Sequence, residues 1–287
     1  MSNFHPAAKL TALGCILVVT MFCSSLYIGA ASFICGAFAI LNVKKMTAAL
    51  KEIAFTLFVS SVMAVTNPLF SHRGATPLLF INDRPYTLEA LLYGADLGVS
   101  LGAVILWFSV LNKLVTKSEL MYVFAKRTPR LALTVNMIMG YIPKISRRFS
   151  EISQAQKGAG IYTSDAVSDR ISKGAQVFAG AAADALEGSA ELSFSMKARG
   201  YGQGKRSCAL KRKFVMRDIA LTVWTAAFTA ITLVLTAAGR NSWTFYPRLE
   251  IPPQSGLCAC FFGLCALSPA VILTKERLKW KYLTSKI

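Results

Sequence analysis

The residues in this chain best placed to do chemistry are cations that sit where two helices should stop. Ala155-Gln156-Lys157-Gly158-Ala159-Gly160-Ile161-Tyr162 and Ser195-Met196-Lys197-Ala198-Arg199-Gly200-Tyr201 share one frame: Lys, a small residue, a variable residue, Gly, then an aliphatic or aromatic residue. A glycine just past the last helical residue is a common helix stop, and a cation in the last turn suits the negative end of the helix dipole. One reading of each copy is therefore a plain helix terminus. The other is a docking plug, because a guanidinium held at a helix end is a rigid, always-charged donor for a partner's carboxylate and arginine is a frequent interface anchor.

Other groups carry less. Gly200-Tyr201-Gly202-Gln203-Gly204-Lys205 has the glycines of a phosphate loop, but it follows a helix rather than a strand and lacks the required spacing, so nucleotide binding by this chain is not expected. There are no paired carboxylates, no nucleophile beside a base and no His/Asp cluster that would indicate an enzyme or a metal centre. The seven cysteines are odd in number, lie mostly in apolar runs and repeat no spacing, which points to neither disulfides nor zinc. Asp96 is a carboxylate well inside an apolar segment. Such residues are functional candidates, although Asp96 is close enough to the segment's outer end to reach lipid headgroups or pair with a polar neighbour instead.

The elements that must position these groups follow from composition. Of 287 residues, 54% are apolar and only 16% charged, yet the net charge is +18. Greasy and basic together argue against a soluble domain, whose charged fraction is roughly 25%, and against a soluble nucleic-acid binder. No Asp, Glu, Lys or Arg occurs between Lys9 and Lys44, which is room for two short spans where one needs roughly 20 residues. Continuing this reading predicts six spans, at about 8–23, 25–43, 52–70, 88–112, 218–238 and 256–274, all helical because a backbone in lipid must satisfy its own hydrogen bonds. Lys44, Lys45 and Lys51, and the tail with Lys275, Arg277, Lys279, Lys281 and Lys286, are assigned to the cytoplasm by the positive-inside rule. Both termini are then cytoplasmic, and loops 71–87 and 239–255, rich in proline, lie outside.

Residues 113–217 interrupt the membrane pattern with 19 Lys or Arg against 7 Asp or Glu. Within 131–160, Ile138, Ile142, Ile145, Phe149 and Ile152 form one stripe of a long amphipathic helix, with Pro143 expected to kink it. A second helix is expected over about 171–199, with Phe178, Ala182, Ala185, Leu192 and Met196 sharing a small-residue face suited to close helix packing. Its acidic stripe of Asp184, Glu187 and Glu191 either faces Arg147 or Arg148 or is simply solvated. Lys205, Arg206, Lys211, Arg212, Lys213 and Arg217, just before the fifth span, suit anionic lipid headgroups.

Phe4-His5-Pro6 with Lys9, the outer-loop run Leu79-Phe80-Ile81-Asn82-Asp83 with Thr87-Leu88-Glu89-Ala90, and a helical insert ending in Met196-Lys197-Ala198-Arg199-Gly200-Tyr201 together resemble the transmembrane T component of energy-coupling factor (ECF) transporters. The resemblance covers most of the chain, and its most specific element is Ala198-Arg199-Gly200, which matches the family's Ala-Arg-Gly coupling signature. It implies two crossed cytoplasmic coupling helices, each ending in such a signature and each docked on one of two ATP-binding-cassette ATPases. The first copy departs from the pattern: Gly158-Ala159-Gly160 puts Ala159 where arginine belongs. Lys157 lies two residues earlier and could supply charge, but not an arginine's bidentate pairing.

The resulting expectation is an all-α polytopic membrane protein of about six spans, divided into 1–112, a coupling-helix insert 113–217, and 218–287. The resemblance implies a non-catalytic scaffold of a vitamin or micronutrient importer, with two ATPases, unequal helix ends favouring a heterodimer, and a substrate-binding S component in the bilayer. ATP would be held by the ATPases, with no cofactor or nucleic acid on this chain. The competing reading is a self-contained secondary transporter, and behind it a membrane-embedded enzyme.

Overall fold

Long runs without charge, broken by Pro, Gly, Ser and Lys, become helices whose ends fall at those breaks. The computed structural model describes residues 4–71, 74–81, 84–160, 167–203, 214–241, 243–246 and 249–284. Lys205, Arg206, Cys208, Lys211, Arg212 and Lys213 lie outside them, as do His72, Asn82, Asp83, Ile161, Tyr162 and Lys286. In chain order the elements are α1 (Pro6–Phe22), α2 (Leu26–Val43), α3 (Met46–Phe70), β1 (Pro77–Ile81), β2 (Arg84–Thr87), α4 (Leu88–Leu114), α5 (Lys117–Arg127), α6 (Pro129–Gly158), α7 (Val167–Ala198), α8 (Met216–Ala237) and α9 (Ser255–Thr284). The chain forms two compact units, Met1–Leu120 with Arg212–Ile287, and Met121–Lys211.

In the first unit, α2, α3, α4, α8 and the Ser255–Leu278 part of α9 are long and apolar enough to cross a membrane. The expected sixth span, α1, is apolar but has only 17 residues. It nevertheless runs the same course as α8. At one rim the Arg217 guanidinium lies 4.1 Å from the centre of the Phe4 ring, and at the other Cys23 Sγ is 3.1 Å from Thr236 Oγ1. Contacts at the first rim join the start of α1 and the end of α4 (Lys9 Nζ to the Leu114 carbonyl, 3.4 Å), and the ends of α2 and α9 (Arg277 to the Leu41 carbonyl, 2.6 Å). The helices thus alternate in direction, with cations placed on carbonyls at helix C-terminal ends, where the dipole favours them.

The tightest crossing is between α3 and α4. Gly94, Gly98 and Gly102 make a row with a four-residue repeat on α4. A Cβ at Gly98 would stand 2.5 Å from the Ser60 carbonyl oxygen, and one at Gly94 2.7 Å from Asn67 Cβ. Only hydrogen fits. The backbones then come close enough for Ser60 Oγ to donate to the Gly98 carbonyl (2.6 Å) and Asn67 Nδ2 to that of Ala90 (2.5 Å). Small residues and interhelical hydrogen bonds of this kind substitute in lipid for the missing hydrophobic drive between helices. On the other side of α4, fully buried Trp107 donates from Nε1 to Ser32 Oγ on α2 (3.1 Å), which is 3.1 Å from Thr20 Oγ1 on α1.

One expectation needs correcting here. The 71–87 loop contains a short antiparallel pair, β1 with β2, whose backbone register pairs Phe80 with Pro85 and Ile81 with Arg84. Pro77 and Pro85 argue against a central strand, but in a two-stranded ribbon both strands are edges and proline is tolerated.

In the second unit α6 and α7 pack antiparallel. The Tyr141 hydroxyl donates to the Gly188 carbonyl (3.2 Å), Arg148 Nε reaches Asp184 Oδ2 (3.3 Å), and Ile152 packs on Gly180. Of the acidic stripe, Asp184 therefore does face Arg148. α6 runs through Pro143 as one helix. Of the face expected on α7, Ala185, Leu192 and Met196 lie toward α6, but Phe178 is 68% exposed and the buried positions are Val177 (1% exposed) and Ala181. Two adjacent apolar stripes run along α7 and one partner helix covers one of them.

Candidate coupling site

The two helix ends singled out by sequence share a left-handed glycine one residue past the C-cap, bonded to the carbonyl three residues earlier. α7 ends at Ala198, and Arg199 is its C-cap residue. Gly200 follows at φ +79°, its N–H donating to the Lys197 carbonyl (2.9 Å), while the Tyr201 N–H donates to that of Met196 (3.0 Å). This is the six-to-one and five-to-two pair of a Schellman close. α6 ends at Gly158 with Ala159 as C-cap, and Gly160 follows at φ +72°, donating to the Lys157 carbonyl (3.1 Å). A side chain at Gly160 or Gly200 would be strained by the left-handed φ whatever space surrounds it. Position for position, Ala159 corresponds to Arg199, and Lys157 to Lys197. Lys157 is thus the counterpart of a lysine that the second copy also has, and it occupies a different place around the helix from the C-cap.

Arg199 is exposed, and its side chain has no hydrogen-bond or ion-pair partner among the described residues. Lys157, Gly158, Ala159, Gly160 and Ala198 are exposed or in open space. The structure does not bring the two motifs together. α7 has 32 residues, hence a length of about 48 Å at 1.5 Å per residue, and in the antiparallel pair its C-terminus lies at the end away from that of α6. Next to Arg199, the start of α6 and the end of α7 enclose an apolar groove of about 530 Å³ lined by Ile138, Tyr141, Ile142, Leu192, Met196 and Tyr201. Along α7, Ile171, Phe178, Leu186 and Phe194 are each about 70% exposed at spacings of seven and eight. These exposed apolar side chains are available to a partner.

Asp96 lies elsewhere, in the first unit. It is 2% exposed, its Oδ1 has no hydrogen-bond partner among the described residues, and it stands 3.8 Å from where a Cβ on Gly29 of α2 would be. Among the described residues no three His, Cys, Asp or Glu side chains gather as a metal site. Sequence reasoning missed the Gly94/Gly98/Gly102 row, although its four-residue repeat is a readable signal for helix crossing in a membrane.

No curated protein matches the chain. A family model described as CbiQ, cobalt transport protein, matches residues 1–209. That is most of the chain, and it covers the first four membrane-unit helices, the whole of α6 and α7 and the Arg199 end. This chain is therefore a member of the CbiQ cobalt transport protein family, the transmembrane T-component family of the multi-subunit ECF transporters.

Proposed function

We propose that this chain is the membrane scaffold of an ECF-type importer. It couples ATP hydrolysis by two partner ATP-binding-cassette subunits to movement of a substrate-binding S component that takes up a vitamin or micronutrient. The observation that carries this reading is the pair of helix ends that each turn off at a left-handed glycine, set at opposite ends of one antiparallel pair and left exposed, with a guanidinium on one of them. Two separated plugs suit two separate subunits. Arg199 docks into an acidic groove of one ATPase, with Ala198 and Gly200 keeping the approach narrow. The other end, Lys157-Gly158-Ala159-Gly160, docks through backbone shape without a C-cap cation, so the two ATPases present unlike grooves and form a heterodimer.

The ATPases hold ATP, the S component holds substrate, and this chain holds neither. The exposed apolar side chains of α7 and the groove beside Arg199 supply the remaining area that partners cover. The basic rim of Lys9, Lys44, Arg217 and Arg277 supports a cytoplasmic assignment for both termini and for the coupling helices in the cell membrane. Purified alone in detergent, the chain should neither bind a fluorescent ATP analogue nor hydrolyse ATP. Mixed with its ATPases it should support hydrolysis that stops when their catalytic carboxylate is replaced. Nucleotide binding by the lone chain would refute the assignment of roles.

A further inference from the structure

The insert that carries the coupling helices is joined to the first unit at two points, where the chain leaves after α4 and where it returns before α8. One short segment, Phe4–Lys9, touches both. At the departure point, Lys9 is 1% exposed, and its ammonium is 2.9 and 3.2 Å from the two carboxylate oxygens of Glu119 and 3.4 Å from the carbonyl of Leu114, the last residue of α4. Glu119 is itself committed to the corner. Its Oε2 accepts from the Thr116 N–H (3.3 Å) while Thr116 Oγ1 accepts from the Glu119 N–H (3.3 Å), the reciprocal capping box that starts a helix. One buried cation therefore ties the negative end of α4 to the capping carboxylate of α5.

At the return point the same segment uses rings. The His5 ring stacks on Phe214 with centroids 3.9 Å apart, and the Arg217 guanidinium stands 4.1 Å over Phe4, which is itself buried. His5 also accepts the Ala7 N–H at Nδ1 as the N-cap of α1, with Pro6 at the first helical position. Cap and proline fix the segment's direction, so its two sets of contacts belong to one rigid piece rather than to a loose terminus.

We propose that Phe4–Lys9 is a strap holding both junctions of the coupling insert, and that through it displacement of the coupling helices becomes displacement of α1 and α4 rather than local bending at the junctions. This rests on the scaffold reading. Lys9, Glu119, Phe4 and His5 are positioning residues: they touch neither nucleotide nor substrate. Neutralising Lys9 leaves a buried carboxylate without its cation at the corner, and removing the Phe4 ring frees the start of α8. A packed and paired joint transmits motion as a unit, and an unpaired one opens locally.

The test uses the complete complex with its ATPases and S component and compares amide hydrogen exchange with and without ATP, alongside ATP hydrolysis. In the native complex ATP should change exchange in α6 and α7 and also in α1 and α4. In Lys9→Met, and in the gentler Glu119→Gln and Phe4→Leu, complex assembly and hydrolysis should persist and exchange at Thr116–Glu119 or Phe214–Asp218 should rise by about tenfold. The ATP-dependent change should then stop at the junctions. Lys9→Arg, which keeps the charge, should restore its passage into α1 and α4. ATP-dependent changes in α1 and α4 that survive Lys9→Met and Phe4→Leu unchanged would overturn the strap. A native complex with no ATPase bound would instead overturn the scaffold reading on which it stands.

Discussion

Replacing Arg199 by Glu should strip from this chain the ATPase that docks on that helix end. The side chain leaves a Schellman-closed helix end with no described partner of its own, so its charge is available to another subunit. Truncating a charge anchored at a buried interface costs roughly 2–4 kcal/mol, and reversing its sign adds repulsion from the same acidic groups. The loss in affinity should then be at least 30- to 1,000-fold or so, enough to empty a pull-down of that subunit. Ala159→Ser, at the structurally equivalent C-cap of α6, should change ATPase recovery little, since neither side chain carries charge. Both variants should keep the parent's melting temperature in detergent, because neither position contacts the helix pair. Equal loss of ATPase from the two variants would contradict the asymmetry.

The second large effect lies in the first unit. Gly98→Leu should yield no folded protein, and Gly98→Ala should lower stability by about 1–3 kcal/mol, the usual cost of overpacking, because the added carbon meets the Ser60 backbone at 2.5 Å. Gly14→Ala makes the same chemical change on α1, where nothing lies within 4 Å. It should be neutral or stabilising, since alanine is favoured over glycine in a helix by roughly 1 kcal/mol. Melting of detergent-solubilised protein followed by size exclusion measures both. Like effects at the two positions would show that helix propensity, not the α3–α4 crossing, sets the cost.

These residues also show how far the sequence is legible. The membrane helices could be read because lipid allows so few solutions: the charge-free run between Lys9 and Lys44 becomes α1 and α2 with ends close to those expected. The Lys157 and Arg199 ends could be read because glycine past a helix has a backbone reason. Periodicity alone could not say which α7 stripe is buried, since Val177 and Phe178 are neighbours and the choice depends on how α6 crosses. α5 was not among the helices expected, because its apolar pattern is weak and its start depends on the Thr116–Glu119 capping box. The pairing of Lys9 with Glu119 joins residues 110 apart in sequence, and no local pattern announces it. Pro77 and Pro85 concealed β1 and β2 for the opposite reason, a local rule that an isolated ribbon escapes.

The central claim is that this chain works as a scaffold between two ATPases and an S component rather than as a carrier by itself. Native mass spectrometry of the complex purified from its own cells through a tag on this chain tests that most directly. The account predicts one copy of this chain with two ATP-binding-cassette subunits of different mass and one further small membrane protein, and predicts that Arg199→Glu removes at least one of the two ATPases. Recovery of the chain without any ATPase, together with ion-driven uptake by the lone chain in liposomes that an ionophore dissipates, would contradict it. That result would make buried Asp96, whose Oδ1 has no hydrogen-bond partner among the described residues, a coupling carboxylate instead.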